Sequence, residues 1–185
     1  IARRYSDLSW ADLRTLLRST YHEERFVALV ILTVQFERGD AAVRTQIVRR
    51  YRAAIVRSVN NWDLVDATTH KILGEYLRTH PTERRLLVTL ARSRNLWERR
   101  VAIIATLAFI ARDEFADTFR IADLLLADSQ DLIHKAVGWM LREVGKRDML
   151  ALETFLRTRH TRMPRTMLRY AIERFPENKR RKYLK

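Results

Sequence analysis

The stretch RVAIIATL, Arg100–Leu107, has a charged start, an apolar body and small residues spaced for one helical face. Looser versions are RFVALVIL from Arg25, VDATTHKIL from Val65, HKAVGWML from His134 and RTMLRYAI from Arg165. They return at roughly 30–40 residues, the period of helical-pair repeats. Units of this kind stack side by side into a curved solenoid, with the second helix of each pair lining the inner surface. Periodicity alone leaves a compact, irregular helical bundle open as the alternative.

Outward from these segments the spacing stays helical, through DLSWADLRTLL, AAVRTQIVRRYRAAIV, FRIADLLLA and MLALETFLRT. Strand-type alternation bounded by turn residues is missing, and the 4 glycines and 3 prolines favour helices joined by short turns. Gly39-Asp40 ends one helix and opens the next, and Pro81 marks another boundary. Asn95 with Glu98 forms a capping-box pair, Ser129 reads as a cap, and Pro164 suits a first helical position. The expectation is an all-α, HEAT-like solenoid in a single domain over residues 1–185. The chain opens on IARRY without methionine, as if in the tail of a helix, so N-terminal helices of the full-length protein are expected before Ile1.

Lys and Arg number 36 against 22 Asp and Glu, a net charge of +14. That excess predicts attraction to polyanions, nucleic acid first and anionic membrane second. Without cysteine there is no disulfide and no thiolate zinc site. The longest apolar run, Val101–Ala111, is too short to span a bilayer, and a reducing cytoplasm is the expected compartment. HEERF puts Phe26 where a zincin helix needs its second histidine. The remaining histidines are dispersed, and neither a Gly-rich phosphate loop nor a nucleophile elbow is present. An enzyme of this composition is expected to work without metal or organic cofactor, using a carboxylate, aromatic faces and cations.

Those groups recur on the repeat helices. If Asn60 or Asn61 caps the helix in SVNNWDLVDATTHKIL, Trp62 and Asp66 stand one turn apart on one face. Trp97 lies one turn from Arg100, and Trp139 one turn from Lys135 and Arg142. Trp10, set among Leu8, Leu13 and Leu17, is the clearest core tryptophan, and Trp97 reads either way. Trp62 and Trp139 share their faces with charges that do not belong in a dry core. Asp63, in the first turn, suits the helix dipole. Asp66 lies deeper, where that benefit has decayed, and its ordinary role would be pairing with a surface cation.

WDLVD, LWERRVAI, HKAVGWMLRE and MPRTMLRYAIERFP together resemble the bacterial DNA alkylation repair family, the AlkD-like DNA glycosylases. The matching positions are Trp62, Asp63, Val65 and Asp66; then Trp97, Arg100, Ala102 and Ile103; then Lys135, Ala136, Gly138, Trp139, Leu141, Arg142 and Glu143. The resemblance implies a HEAT-like solenoid that grips duplex DNA in a basic concave face and excises N3- or N7-alkylated purines. It makes Asp66 the catalytic carboxylate and Trp62 and Trp139 the aromatic walls around the deoxyribose. Arg100 becomes a cationic, substrate-binding residue, and Lys135, Arg142 and Arg165 become DNA-backbone contacts. Asp131 and Leu132 depart from the pattern, standing where family members often offer aromatics. The resemblance also implies recognition through the backbone, without full extrusion of the base.

The chemistry is consistent with that assignment. A purine alkylated at N3 or N7 is cationic and needs little acid catalysis to leave, while positive charge develops on the sugar. A carboxylate stabilises that charge and orients water, and indole faces add about 0.5–2 kcal/mol each. Nothing calls for a lysine Schiff base, so a monofunctional, monomeric hydrolase with no obligate protein partner is expected. The competing readings are a non-catalytic nucleic-acid-binding array and a protein-interaction scaffold.

Overall fold

Helices form wherever the apolar spacing announced them. The structure, a computed structural model, describes residues 2–184. The elements are α1 (Trp10–Leu17), α2 (His22–Arg38), α3 (Ala41–Ala54), α4 (Trp62–Thr69), a π-helical turn (His70–Gly74) and α5 (Glu75–Thr79). After a 3-10 turn (Pro81–Glu83) come α6 (Arg85–Ala91), α7 (Leu96–Ile104), α8 (Leu107–Ile110), α9 (Ala116–Leu124) and α10 (Asp131–Arg147). Then follow α11 (Met149–Arg157), a second 3-10 turn (His160–Arg162), α12 (Arg165–Ala171) and α13 (Glu177–Leu184).

Two layers result. Helix α2 packs on α4, α4 on α7, α7 on α10 and α10 on α12, so these second helices form one continuous layer. Helices α1, α3, α6, α9 and α11 form the other, in which α6 and α9 are the neighbours that approach closely. A two-layer array bends toward its tighter layer, so the α2–α4–α7–α10–α12 layer is the concave one. The architecture is the all-α, HEAT-like solenoid, and the compact bundle is set aside.

Small residues set the close approaches. A Cβ on Gly138 would stand 2.5 Å from the Met167 carbonyl oxygen and 2.5 Å from Tyr170 Cβ, so glycine lets α10 lie directly on α12. Leu64, Val65, Val101, Ile103, Ile104, Ile133 and Leu141 fill the space between the layers. Trp10 departs from its expected place in the core. At the first position of α1 it sits at the end of the helix, half-buried, while Leu13 and Leu17 go inside and Arg50 lies over the ring at 4.4 Å.

Caps explain most boundaries. Asp40 accepts from Val43 N at 2.9 Å to open α3, and Gly39 N donates to Gln35 O at 2.9 Å to close α2. Asn61 accepts from Trp62 N at 2.8 Å and opens α4. Asn95 accepts from Trp97 N at 2.8 Å and Glu98 N at 3.3 Å, but the reciprocal half of the box is missing. Glu98 instead takes the Ser93 hydroxyl, and Ser93 Oγ accepts from Asn95 N at 3.0 Å. Ser129 is not a cap. The turn before α10 is closed by Asp128, which accepts from Gln130 N at 2.9 Å and is itself held by Arg99 at 2.6 Å. Pro164 stands at the cap position, one residue ahead of the helix it introduces.

Candidate active site

The N-terminal ends of α4, α7, α10 and α12 share one edge of the concave layer, the edge on which the outer helices before them end. Their dipoles place partial positive charge along that edge. Trp62 is the first residue of α4 and is 54% exposed. Asp63 accepts a bond from its own neighbour, Leu64 N, at 2.9 Å and meets His22 Nε2 at 2.6 Å, tying the start of α4 to the start of α2.

Asp66, one turn deeper, keeps only 16% of its side chain exposed. Arg100 of α7 donates from Nε to Oδ1 at 2.9 Å and from Nη2 to Oδ2 at 2.7 Å, a bidentate fork. The third nitrogen, Nη1, donates to the backbone carbonyl of Leu132 in α10. One guanidinium therefore joins three successive repeats. It is 4% exposed, too enclosed to act as a free cation facing a ligand, which corrects the expectation for Arg100. The missing aromatic at position 132 costs this link nothing, since the link uses the Leu132 main chain.

Under α4 lies a buried polar peg. The Tyr51 hydroxyl, on α3, meets Thr68 Oγ1 at 3.0 Å and Thr69 Oγ1 at 2.8 Å, while Thr68 Oγ1 donates to Leu64 O at 2.6 Å. Burial pushes the Tyr51 phenol up to about 12, and the negative charge of Asp66 acts in the same direction. The π-helical turn begins directly after this peg. His70 Nδ1 lies 3.1 Å from the Asp66 carbonyl, and burial, then the charge of Lys71, lowers its pKa. A Cβ at Gly74 would collide with the Ala105 carbonyl and Ala108, so the bulged helix is seated tightly on α7 and α8.

The expected backbone contacts are engaged within the protein. Lys135 pairs with Asp131 at 2.7 Å, which raises its pKa. Arg142 pairs with Glu173, and Arg165 donates to Leu184 O at 2.5 Å. Trp139, partly buried against the core, donates from its indole to Glu143 at 3.0 Å. It shares the face of α10 with Leu132, about 10 Å further along the axis. Trp62 stands at the start of α4, and Trp139 about two turns further into α10 than Leu132. Trp97 is half-buried against the core.

Sequence reasoning missed Tyr51, Thr68, Thr69 and His22. A signal existed for His22, which opens its helix as Trp62 and Asp63 open theirs. A second repeat signature is visible only in three dimensions. Arg25 donates to the carbonyls of Ser19 and Thr20, and Arg99 donates to those of Ser93 and Arg94, the same offsets in each case. Arg25 is therefore the counterpart of Arg99, one residue off the register suggested by the apolar segments.

The family model for DNA alkylation repair enzymes matches residues 2–175. Among solved structures, a predicted DNA alkylation repair enzyme from Enterococcus faecalis superposes with a TM-score of 0.75 at 19% identity, over 95% of this chain and 81% of that one. At that identity the likeness speaks for the fold alone. A search of curated proteins gave no match. With nearly the whole chain under the family model, the chain belongs to the DNA alkylation repair enzyme family.

Proposed function

We propose that the chain is a DNA glycosylase that hydrolyses the N-glycosidic bond of N3- or N7-alkylated purines in duplex DNA. The observation that carries this reading is the fixed carboxylate of Asp66, set on the concave layer one turn from the exposed Trp62 ring. A carboxylate offers about four lone-pair sites, and the Arg100 fork uses two. The others are free for water and for the developing charge on C1′ of the sugar.

In the reaction the C1′–N bond breaks and its electron pair goes to the purine, neutralising the cationic base. Water adds its oxygen to C1′ and loses a proton, leaving an abasic site. Asp66 stabilises the oxocarbenium-like sugar and orients that water, and the Trp62 and Trp139 faces add cation–π attraction. Arg100 is a positioning residue in this scheme. It fixes the carboxylate rotamer before substrate arrives, at the cost of offsetting part of its charge.

The test is release of 7-methylguanine or 3-methyladenine from methylated duplex DNA by the wild type and Asp66→Asn. Release by the wild type and its loss in the variant, with DNA affinity retained, is the expected result. Equal release by both removes Asp66 from the mechanism. No release by either favours a non-catalytic DNA-binding array.

A further inference from the structure

Arg84, Arg99, Arg100, Arg142, Arg147 and Arg159 are among the arginines that face a carboxylate. Others do not, and four of these are gathered in one place. Arg14, Arg18, Arg50 and Arg57 have no carboxylate partner among the described residues, yet they line one cleft of about 220 Å³ between α1 and α3. Arg14, Arg18 and Arg57 are exposed. Arg50 is half-buried and lies over the Trp10 ring at 4.4 Å. Leu17 and Ala54 complete an apolar floor beside the indole.

Like charges gathered without counterions are costly unless an anion joins them. The apolar floor with guanidinium walls matches the sugar and phosphate of a nucleic-acid backbone better than an acidic peptide, whose carboxylates need no apolar seat. Position points the same way. The cleft runs along α1 and meets the C-terminal end of α3, the edge on which α4 begins, and Arg57 belongs to the turn that delivers Trp62. A duplex carries one negative charge per about 1.7 Å of axis, so DNA leaving the groove past Trp62 brings phosphates over this cleft. The cations expected in the groove, Lys135, Arg142 and Arg165, are already bonded within the protein.

We propose that the Arg14–Arg18–Arg50–Arg57 cleft is a second DNA site, taking a phosphodiester of the bound duplex beyond the lesion. It rests on the reading of duplex DNA as substrate, and it extends the footprint from the concave layer onto α1 and α3.

The experiment is equilibrium binding to undamaged duplex DNA across a salt series, since each lost phosphate contact lowers the log–log salt slope by about 0.9. The Arg14→Ala/Arg18→Ala/Arg57→Ala variant is expected to lower the slope by about 0.9, the loss of one phosphate. An Arg112→Ala/Arg120→Ala/Arg174→Ala control removes equal charge from exposed positions outside the cleft and should leave the slope near wild type. Arg57→Gln alone repeats the test with minimal disturbance, with a drop of about 0.9 or less. Equal slopes for cleft variant and control, or a wild type without salt-dependent affinity for duplex DNA, would overturn the proposal. Base release is scored separately. Release with unchanged slopes sinks the second site alone, and a lowered slope without release sinks the catalytic reading alone.

Discussion

Asp66 and Arg100 meet edge to edge, at 2.9 and 2.7 Å, and the same guanidinium reaches on to the Leu132 carbonyl. Residues far apart in sequence are thereby locked at one point of the concave layer. Removing one partner of such an enclosed pair strands the other charge. Arg100→Ala is expected to cost about 3–5 kcal/mol, read by urea unfolding. Asp66→Asn keeps an acceptor but leaves the enclosed guanidinium without its counter-charge, so it is expected to cost a comparable amount. Losses below about 1 kcal/mol in both variants would show that the fork does not govern this interface.

Trp62 is expected to separate stability from activity. More than half of its surface is exposed, so Trp62→Ala should move the unfolding free energy by no more than about 0.5 kcal/mol. Base release should nonetheless fall at least tenfold if the ring faces the sugar. Full activity in Trp62→Ala would take the ring out of the site.

Tyr51 gives a pH signature. Its phenol ionises near 10.0 in the unfolded chain and is pushed up to about 12 in the fold. Above the unfolded value the open chain loses its proton while the native one keeps it. The stabilisation is complete below pH 10 and drains away as the pH climbs toward 12, by up to ~3 kcal/mol. Tyr51→Phe should unfold about 1 kcal/mol more easily at pH 7, through the lost bonds to Thr68 and Thr69. It should also lose less stability than wild type between pH 10 and 12. Parallel alkaline profiles would contradict the buried-phenol account.

Gly138→Ala is expected to cost about 1–3 kcal/mol, because its methyl meets the backbone of α12 at Met167 as well as the Tyr170 side chain. A thermal melt within a degree of wild type would mean that α10 and α12 separate easily.

Much of this structure was legible because it is written locally. Asn61, Asp40 and Gly39 act on backbone groups within a few residues of themselves, and the apolar spacing of RVAIIATL needs no partner to be recognised. Trp62 and Asp66 sit where helical geometry puts them. What escaped depends on distant partners. Ser129 lost its capping role because Arg99 recruits Asp128, and Arg100 appeared free until its helix lay between Asp66 and Leu132. Tyr51 in RRYRAA gives no hint of the threonines beneath Asp66. Trp10 has a core-like neighbourhood in sequence, but the end of a helix is where the core runs out.

The bulged turn from His70 to Gly74 gives the site helix two independent phases. A regular helix advances about 100° per residue, so one surplus residue rotates everything after it by that amount. Upstream, Asp66 is turned to meet Arg100 of α7, whereas downstream, Tyr76 and Leu77 are turned inward and buried. Excising a single residue from this segment should rewind the helix into uniform pitch, forcing either the half that carries Asp66 or the half that carries Tyr76 to face the wrong way.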